Sequence, residues 1–357
     1  MSDYLTENKE RNKKGEFDKT DVLSVSGDYG IVNQIELLGR SFAGASVLPY
    51  HVVRHGNIVY TKSPLKEYPY GIVKANTGVD GIVSTLYAVY NIKNNVDAQF
   101  IEYYFSSANR TNRYFKPIVR IGAKHDMKIG NQEVLANKVT FPNLEEQTKI
   151  ASLFRFLDER IATQNKIIED LKKLKSAISH ILFSSKGAIH LSEIANVVMG
   201  QSPSSNAYND QGLGMPLVQG NLDISNGKTT PRLYTAEFNQ TTEKGNIILT
   251  VRAPVGEVAK ATQKVCLGRG VCAIIPHEEN MSDFIYQYLT FYKFMWRRYE
   301  QGSTFTSING SDVRNIFCPK VRNVSILTLL DIKINIEERV VKQYQSQKQY
   351  MLYQMFI

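Results

Sequence analysis

Between residues 144 and 183 apolar side chains return every three or four positions. Phe154, Ile161 and Ile168 share one heptad position with Lys175 and Leu182, and Leu157, Leu171 and Ile178 share the other with Gln164. Residues 327–355 repeat the arrangement, with Leu327, Ile334, Val341, Lys348 and Met355 interleaved by Leu330, Glu337, Tyr344 and Met351. The pattern predicts two long helices, each with a narrow coiled-coil seam interrupted by a lysine at the same place. Asn143 followed by Glu146, just after Pro142, gives the first helix a capping-box-like start, and the second lacks that glutamate.

Elsewhere the apolar residues fall in short β-rich runs bounded by Gly, Pro and Asn, such as "GNIVYT", "GIVSTLYAVY", "NIILTV" and "GVCAIIP". Aromatic segments at Tyr103–Phe115 and Phe284–Tyr299 have helical spacing and are expected to pack into cores. These runs recur in order. "GNIVYT" at Gly56 matches "GNIILT" at Gly245, "FIEYYF" at Phe100 matches "FIYQYL" at Phe284, and the long helices match at a separation of 173 residues. The chain is therefore read as a duplicated α/β unit, each copy a mixed sheet with helices followed by a long helix. The expected boundaries are a first head over 1–142, a central helix over 143–185, a second head over 186–320 and a late helix over 321–357.

Two matching seams in one chain most simply bury each other. Antiparallel pairing would set the heads at opposite ends about a pseudo-twofold axis, with a helix of about 40 residues spanning roughly 60 Å. Lys175 and Lys348 in the seams would help to specify register.

Composition narrows the partner. The 357 residues carry a net charge of +9, which leans toward a polyanion. Arg110, Arg113, Lys116, Arg120, Lys124 and Lys128 lie within one short stretch beside Tyr114 and Phe115, against one acid, Asp126. The matching stretch of the second half holds Arg297 and Arg298 and then the polar loop "GSTFTSING", with Ser303, Thr304, Ser307 and Asn309. Such side chains suit phosphates and base edges. Lys62 and Arg252, after the two "GNI" strands, are weaker candidates.

Enzyme classes find little support. No phosphate-binding glycine loop, no adenine methyltransferase motif and no nucleophile triad stands in the sequence, and the carboxylates are scattered. His51 and His55 of "HVVRH" lack a third nearby ligand, so neither metal nor cofactor is expected. The odd cysteines Cys266, Cys272 and Cys318 suit reduced thiols. The start has no apolar stretch of signal-peptide type and no run is long enough to span a membrane, so a cytoplasmic, membrane-free protein is expected.

The segments "FPNLEEQTKIASLFRFLDERI", "LSEIANVVMGQSPS" and "GSTFTSINGSDVRNI" and the terminal "QMFI", within this duplicated architecture, resemble the DNA-specificity (S) subunit of type I restriction–modification systems. The resemblance covers essentially the whole chain. It implies two target-recognition domains reading the halves of a bipartite, asymmetric site on double-stranded DNA, with an antiparallel coiled coil setting the gap. It also implies two modification subunits that methylate adenine, and motor–nuclease subunits for restriction. Glu145, Glu146 and Gln147 of the "EEQ" start would contact a modification subunit. Two departures stand out: the first half shows no counterpart of "LSEI", as expected either of a first domain short at its N-terminus or of a sequence that begins inside a longer reading frame, and the late helix lacks the "EEQ" start. A coiled-coil adaptor without DNA binding is the alternative, distinguished by salt-sensitive binding to duplex DNA.

Overall fold

Val, Ile, Tyr and Thr dominate the short apolar runs, and in the computed structural model of the protein these runs form the sheets of two heads. The structure describes residues 1–65, 68–121, 127–184, 189–299, 306–320 and 323–356. Two compact units divide the chain, one of Met1–Gln164 with Val340–Ile357 and one of Asn165–Arg339. Each holds one head and a segment of each long helix.

In the first unit an antiparallel sheet runs in the order Leu5–Glu7, Tyr87–Ile92, Ile58–Thr61, Val73–Ala75. Alternation along the strands sends Ile58, Tyr60, Ala88 and Tyr90 to one face, where the helices Ala98–Tyr104 and Ala108–Phe115 cover them. Tyr60 stacks on Phe115 with ring centroids 4.4 Å apart. Val59 and Val89 point the other way, onto Leu23, Ile31, Val53 and Val83. The strand Leu5–Glu7 occupies the edge that Ala195–Met199 occupies in the second unit, out of a segment, "LTENKERNKK", with little apolar pattern.

The second unit repeats the plan with a larger sheet. Its central order is Ala195–Met199, Val271–Pro276, Ile247–Thr250, Val258–Lys260. Ile247 and Leu249 face the helix Ser282–Tyr292, while Ile248, Val271 and Ala273 face Val218, Val265 and Leu267 of a second sheet. The register is that of the first head. Val59 pairs with Val89 and Ile248 with Ala273, at the offsets of 189 and 184 carried by the sequence repeat.

The central helix is Leu144–Phe183 and the late helix Ser325–Met355. Buried seam positions are Phe154, Gln164 and Ile168 on the first, and Leu327, Ile334, Glu337 and Val341 on the second. Leu157, Ile161, Leu171, Lys175, Ile178, Leu330, Tyr344, Lys348 and Met351 are half-buried. Within the first unit Phe154 stacks on Phe356, Asp158 meets Lys348 and Arg160 reaches Tyr344, so the two segments run antiparallel. Within the second, Lys175 meets Asp331 and Lys172 meets Glu338, again antiparallel.

The seam lysines are paired, and each pair is tied to its head. Lys348 Nζ lies 2.5 Å from Asp158 Oδ1, and the Tyr103 hydroxyl donates to Asp158 Oδ2 at 2.9 Å. Lys175 Nζ lies 2.6 Å from Asp331 Oδ1, and the Gln287 amide donates to Asp331 Oδ2 at 2.7 Å. Each member of one triad matches its counterpart at the repeat offset, 173 for the helices and 184 for the heads. Removing the shared acceptor leaves a half-buried ammonium and a head donor unpaired. Asp158→Ala and Asp331→Ala should each cost about 1–3 kcal/mol in urea unfolding; an unchanged midpoint would mean that the triads do not hold the heads to the helices.

Candidate nucleic-acid interface

The loops that follow the central strands of the second head converge at one rim. After the strand Ile247–Thr250, Arg252 forms an antiparallel bridge with Ser307, and the Ala253 N–H donates to the Thr306 carbonyl at 3.0 Å. The Thr250 hydroxyl donates to the Pro254 carbonyl at 2.7 Å and closes the loop. Gly256, at φ +92°, lies over Trp296, where a Cβ would come 2.6 Å from the indole. Only glycine fits that contact and that dihedral. The loop is thereby held against the helical turns Lys293–Arg298, which expose Arg297 and Arg298. Arg252, Ser307, Arg297 and Arg298, far apart in sequence, thus belong to one region of this head.

Asn309 has a different task. Its side-chain oxygen accepts from the Ser311 and Asp312 N–H groups and caps the helix Gly310–Arg314, so that acceptor is committed to the backbone. Ser303 and Thr304 lie outside the described residues. Arg252 also lines a cleft of about 360 Å³ with Ser202, Gln219, Gly220 and Arg269. Arg269 carried no sequence signal: a lone arginine between two glycines is neither a charge run nor part of a motif.

On the first head, Arg113, Lys116 and Arg120 are exposed, and Arg120 lies in a short strand paired with Lys128. Lys124 lies outside the described residues. Arg110 is half-buried, its guanidinium 4.9 Å from the Tyr104 ring centroid and 5.2 Å from that of Phe356. Desolvation lowers its pKa. It lines a groove of about 710 Å³ with Arg113, Tyr114, Lys138 and Tyr353.

Two candidates turn inward, which corrects their expected roles. Lys62 is half-buried, with Nζ 2.5 Å from Asn131 Oδ1, while Asn131 donates to Glu7. Burial lowers the Lys62 pKa and the Glu7 charge counters this, so the ammonium ties strand to loop rather than facing a phosphate. Gln147 is fully buried: its oxygen accepts from the Asp97 N–H, and its amide donates to the Asn95 and Pro142 carbonyls. It fixes the start of the central helix against the head and presents nothing to a partner. Glu145 is exposed and paired with Lys149, and the Glu146 N–H donates to Asn143, which caps the helix.

The three cysteines are buried free thiols. Among the described residues no helix is long and apolar enough to cross a membrane. His55 is exposed, whereas His51 is buried on the strand His51–Val53.

Comparison with known proteins places this architecture. Residues 187–343 match the family model described as the type I restriction modification DNA specificity domain. A Methanocaldococcus jannaschii protein described as the MjaX type I restriction enzyme specificity subunit is 31% identical over 249 residues. Part of this chain is thus similar to type I restriction–modification specificity subunits. The aligned part is 64% of this chain and 58% of that relative, so the match spans less than two thirds of the relative's length. Two solved chains share the fold. The type I restriction–modification S subunit of M. genitalium superposes with a TM-score of 0.61 at 17% identity, covering 99% of this chain and 94% of its own. A chain from a structure on complex assembly and conformational transition of the type I R-M system gives a TM-score of 0.57 at 19% identity, covering 99% and 95%. The mixed α/β heads and the long helices are features of that fold.

His51 generates a pH prediction for the first head. Burial, with Arg11 and Lys62 nearby and Glu7 opposing them, pushes its pKa down from 6.5 to about 4. Below 6.5 the unfolded chain takes up a proton that the folded chain refuses, so stability declines as pH falls from about 6.5 toward 4. The full difference is on the order of 3 kcal/mol. Urea unfolding at pH 7.5 and 5 should show this loss, and His51→Leu should reduce it; an equal pH dependence in both chains would assign the loss to other groups.

Proposed function

We propose that this chain is the non-catalytic DNA-reading subunit of a type I restriction–modification complex, with one half of a bipartite, asymmetric double-stranded site assigned to each head. The observation that carries this reading is the pairing of a repeated backbone with unlike rims. The two heads share strand register and their attachment to antiparallel helix segments, while their exposed side chains differ. The target-recognition domains would occupy residues 1–142 and 186–320. The helices over 143–185 and 321–357 would set the spacing between half-sites and hold two adenine-modification subunits, with motor–nuclease subunits joining for restriction.

Phosphate contacts fall to the exposed cations. Arg113, Lys116 and Arg120 serve the first head, helped by the rim of the Arg110 groove, and Arg297 and Arg298 serve the second, beside Arg252 and Ser307. Glu145 and Glu146 remain the partner-facing part of the central helix. Phosphate contacts hold any sequence alike, whereas base contacts select one.

The reading is tested by sequencing N6-methyladenine in cells that carry the modification subunit, with and without this chain. A bipartite motif that requires the chain is expected; identical methylation in both would overturn the assignment. In binding to duplex DNA, replacing Arg297 and Arg298 by Ala should weaken all sequences alike. It should also reduce the slope of log affinity against log salt by about 2. A protein adaptor would give no salt-dependent duplex binding at all.

A further inference from the structure

The cleft at the second head's rim carries more than its charge. Arg269 is the only side chain of the Gly268–Gly270 turn that joins the strands Val265–Leu267 and Val271–Pro276. That turn is pressed onto a neighbouring loop so closely that a Cβ on Gly270 would come 2.0 Å from the Gln219 carbonyl oxygen. From the other side the Arg269 N–H donates to the Ser202 hydroxyl at 3.0 Å. Arg252 rises from the adjacent loop, itself pinned to residues 306 and 307. Both arginines have fixed backbones and exposed side chains, and among the described residues neither has an ion-pair partner.

The chemistry of the cleft points one way. Among the described residues no acidic side chain lines it. The nearby Asp223 is buried and committed, accepting from the Gln219 N–H at 2.9 Å and from Arg232 at 3.0 Å. Two guanidiniums with no described acid between them suit a ligand edge rich in acceptors, and the planar guanidinium fork matches the N7 and O6 pair of guanine. The other head supports a reading role over general attraction. At the offsets of 184 and 189, Thr85 stands where Arg269 does and Ser63 where Arg252 does, and the turn at 84–87 closes with the same backbone bond, Tyr87 N–H to Ser84 carbonyl, as Val271 to Gly268. The turn is repeated and its chemistry is not.

We propose that Arg252 and Arg269 are the base-reading pair of the second head and take the acceptor edge of guanine in the half-site contacted by that head. The inference rests on the specificity-subunit reading above. It is tested by mapping N6-methyladenine in cells that carry the modification subunit with the full chain, with Arg269→Ala or with Arg252→Ala. One half of the motif should lose about tenfold in discrimination at a guanine-containing base pair while the other half stays unchanged. An unchanged motif, an even weakening across all sites, or a half-site without guanine would overturn it. If either alanine chain abolishes methylation, Arg269→Gln decides, because a glutamine amide pairs with adenine. A shift from guanine toward adenine at that base pair supports the proposal, and an unshifted motif or no methylation overturns it. Absence of any motif with the unaltered chain is a different result, which removes the specificity reading and this inference with it.

Discussion

In each unit one carboxylate, shared by a lysine of the other helix and a donor of the head, ties three elements together. An apolar seam between two helices tolerates sliding, because one leucine or isoleucine replaces another at the next heptad, about 10 Å along. The pairs Lys348–Asp158 and Lys175–Asp331 do not tolerate it, since a heptad of slip separates partners that meet at 2.5 and 2.6 Å. Half-buried ion pairs contribute little net stability against apolar replacements, but a broken one is costly, so their main effect is to exclude wrong registers. The second oxygen of each aspartate extends the constraint outward. Because Tyr103 and Gln287 bind it, the register of the helices also fixes where each head helix sits on its own helix segments.

That arrangement separates what is conserved between the repeats from what differs. Strand register, the triads and the turns at Ser84 and Gly268 recur because each is buried or bonded within its unit. The exposed position on those turns is free of such constraints, and there the repeats diverge, from Thr85 to Arg269, as they do in the neighbouring loops from Ser63 to Arg252. Buried positions also change residue type between the repeats, Tyr103 to Gln287 and Val89 to Ala273, but there the change keeps the packing or the hydrogen bond. Gly256 and Gly270 mark the boundary: each admits no Cβ, because a loop is pressed there onto Trp296 or Gln219.

Much of this architecture was legible in the sequence, for reasons that differ by element. The long helices were readable from heptads, and the sheets from β-rich runs recurring in the same order, since both signals are local. The seam lysines were readable too, but their aspartates were not, because Asp158 and Lys348 meet across 190 residues and no spacing announces the pair. The strand Leu5–Glu7 was missed because an edge strand of mixed polarity carries no period to find. Site residues fared unevenly on the same principle. Lys62, Gln147 and Asn309 look like surface chemistry in a sequence, yet tertiary contacts give them the tasks of tying a loop, seating a helix and capping another. Arg269 went unnoticed because its setting, a glycine turn pressed on a distant loop, exists only in three dimensions.

The same distinction bears on how the basic residues should be weighed. A run such as Arg110–Lys128 attracts a polyanion whatever its fold, and Arg110, drawn over Tyr104 and Phe356, has part of its surface committed to packing. A guanidinium that makes stacking contacts within its own unit is desolvated before any ligand arrives, so it contributes less to a new contact than its place in a charge run suggests. Arg252 and Arg269 are the opposite case: their backbones are held by close packing and hydrogen bonds while their charges remain in solvent. Discrimination between bases needs that combination, because a flexible cation finds a phosphate on any sequence, and only a cation held in place has to wait for the correct edge.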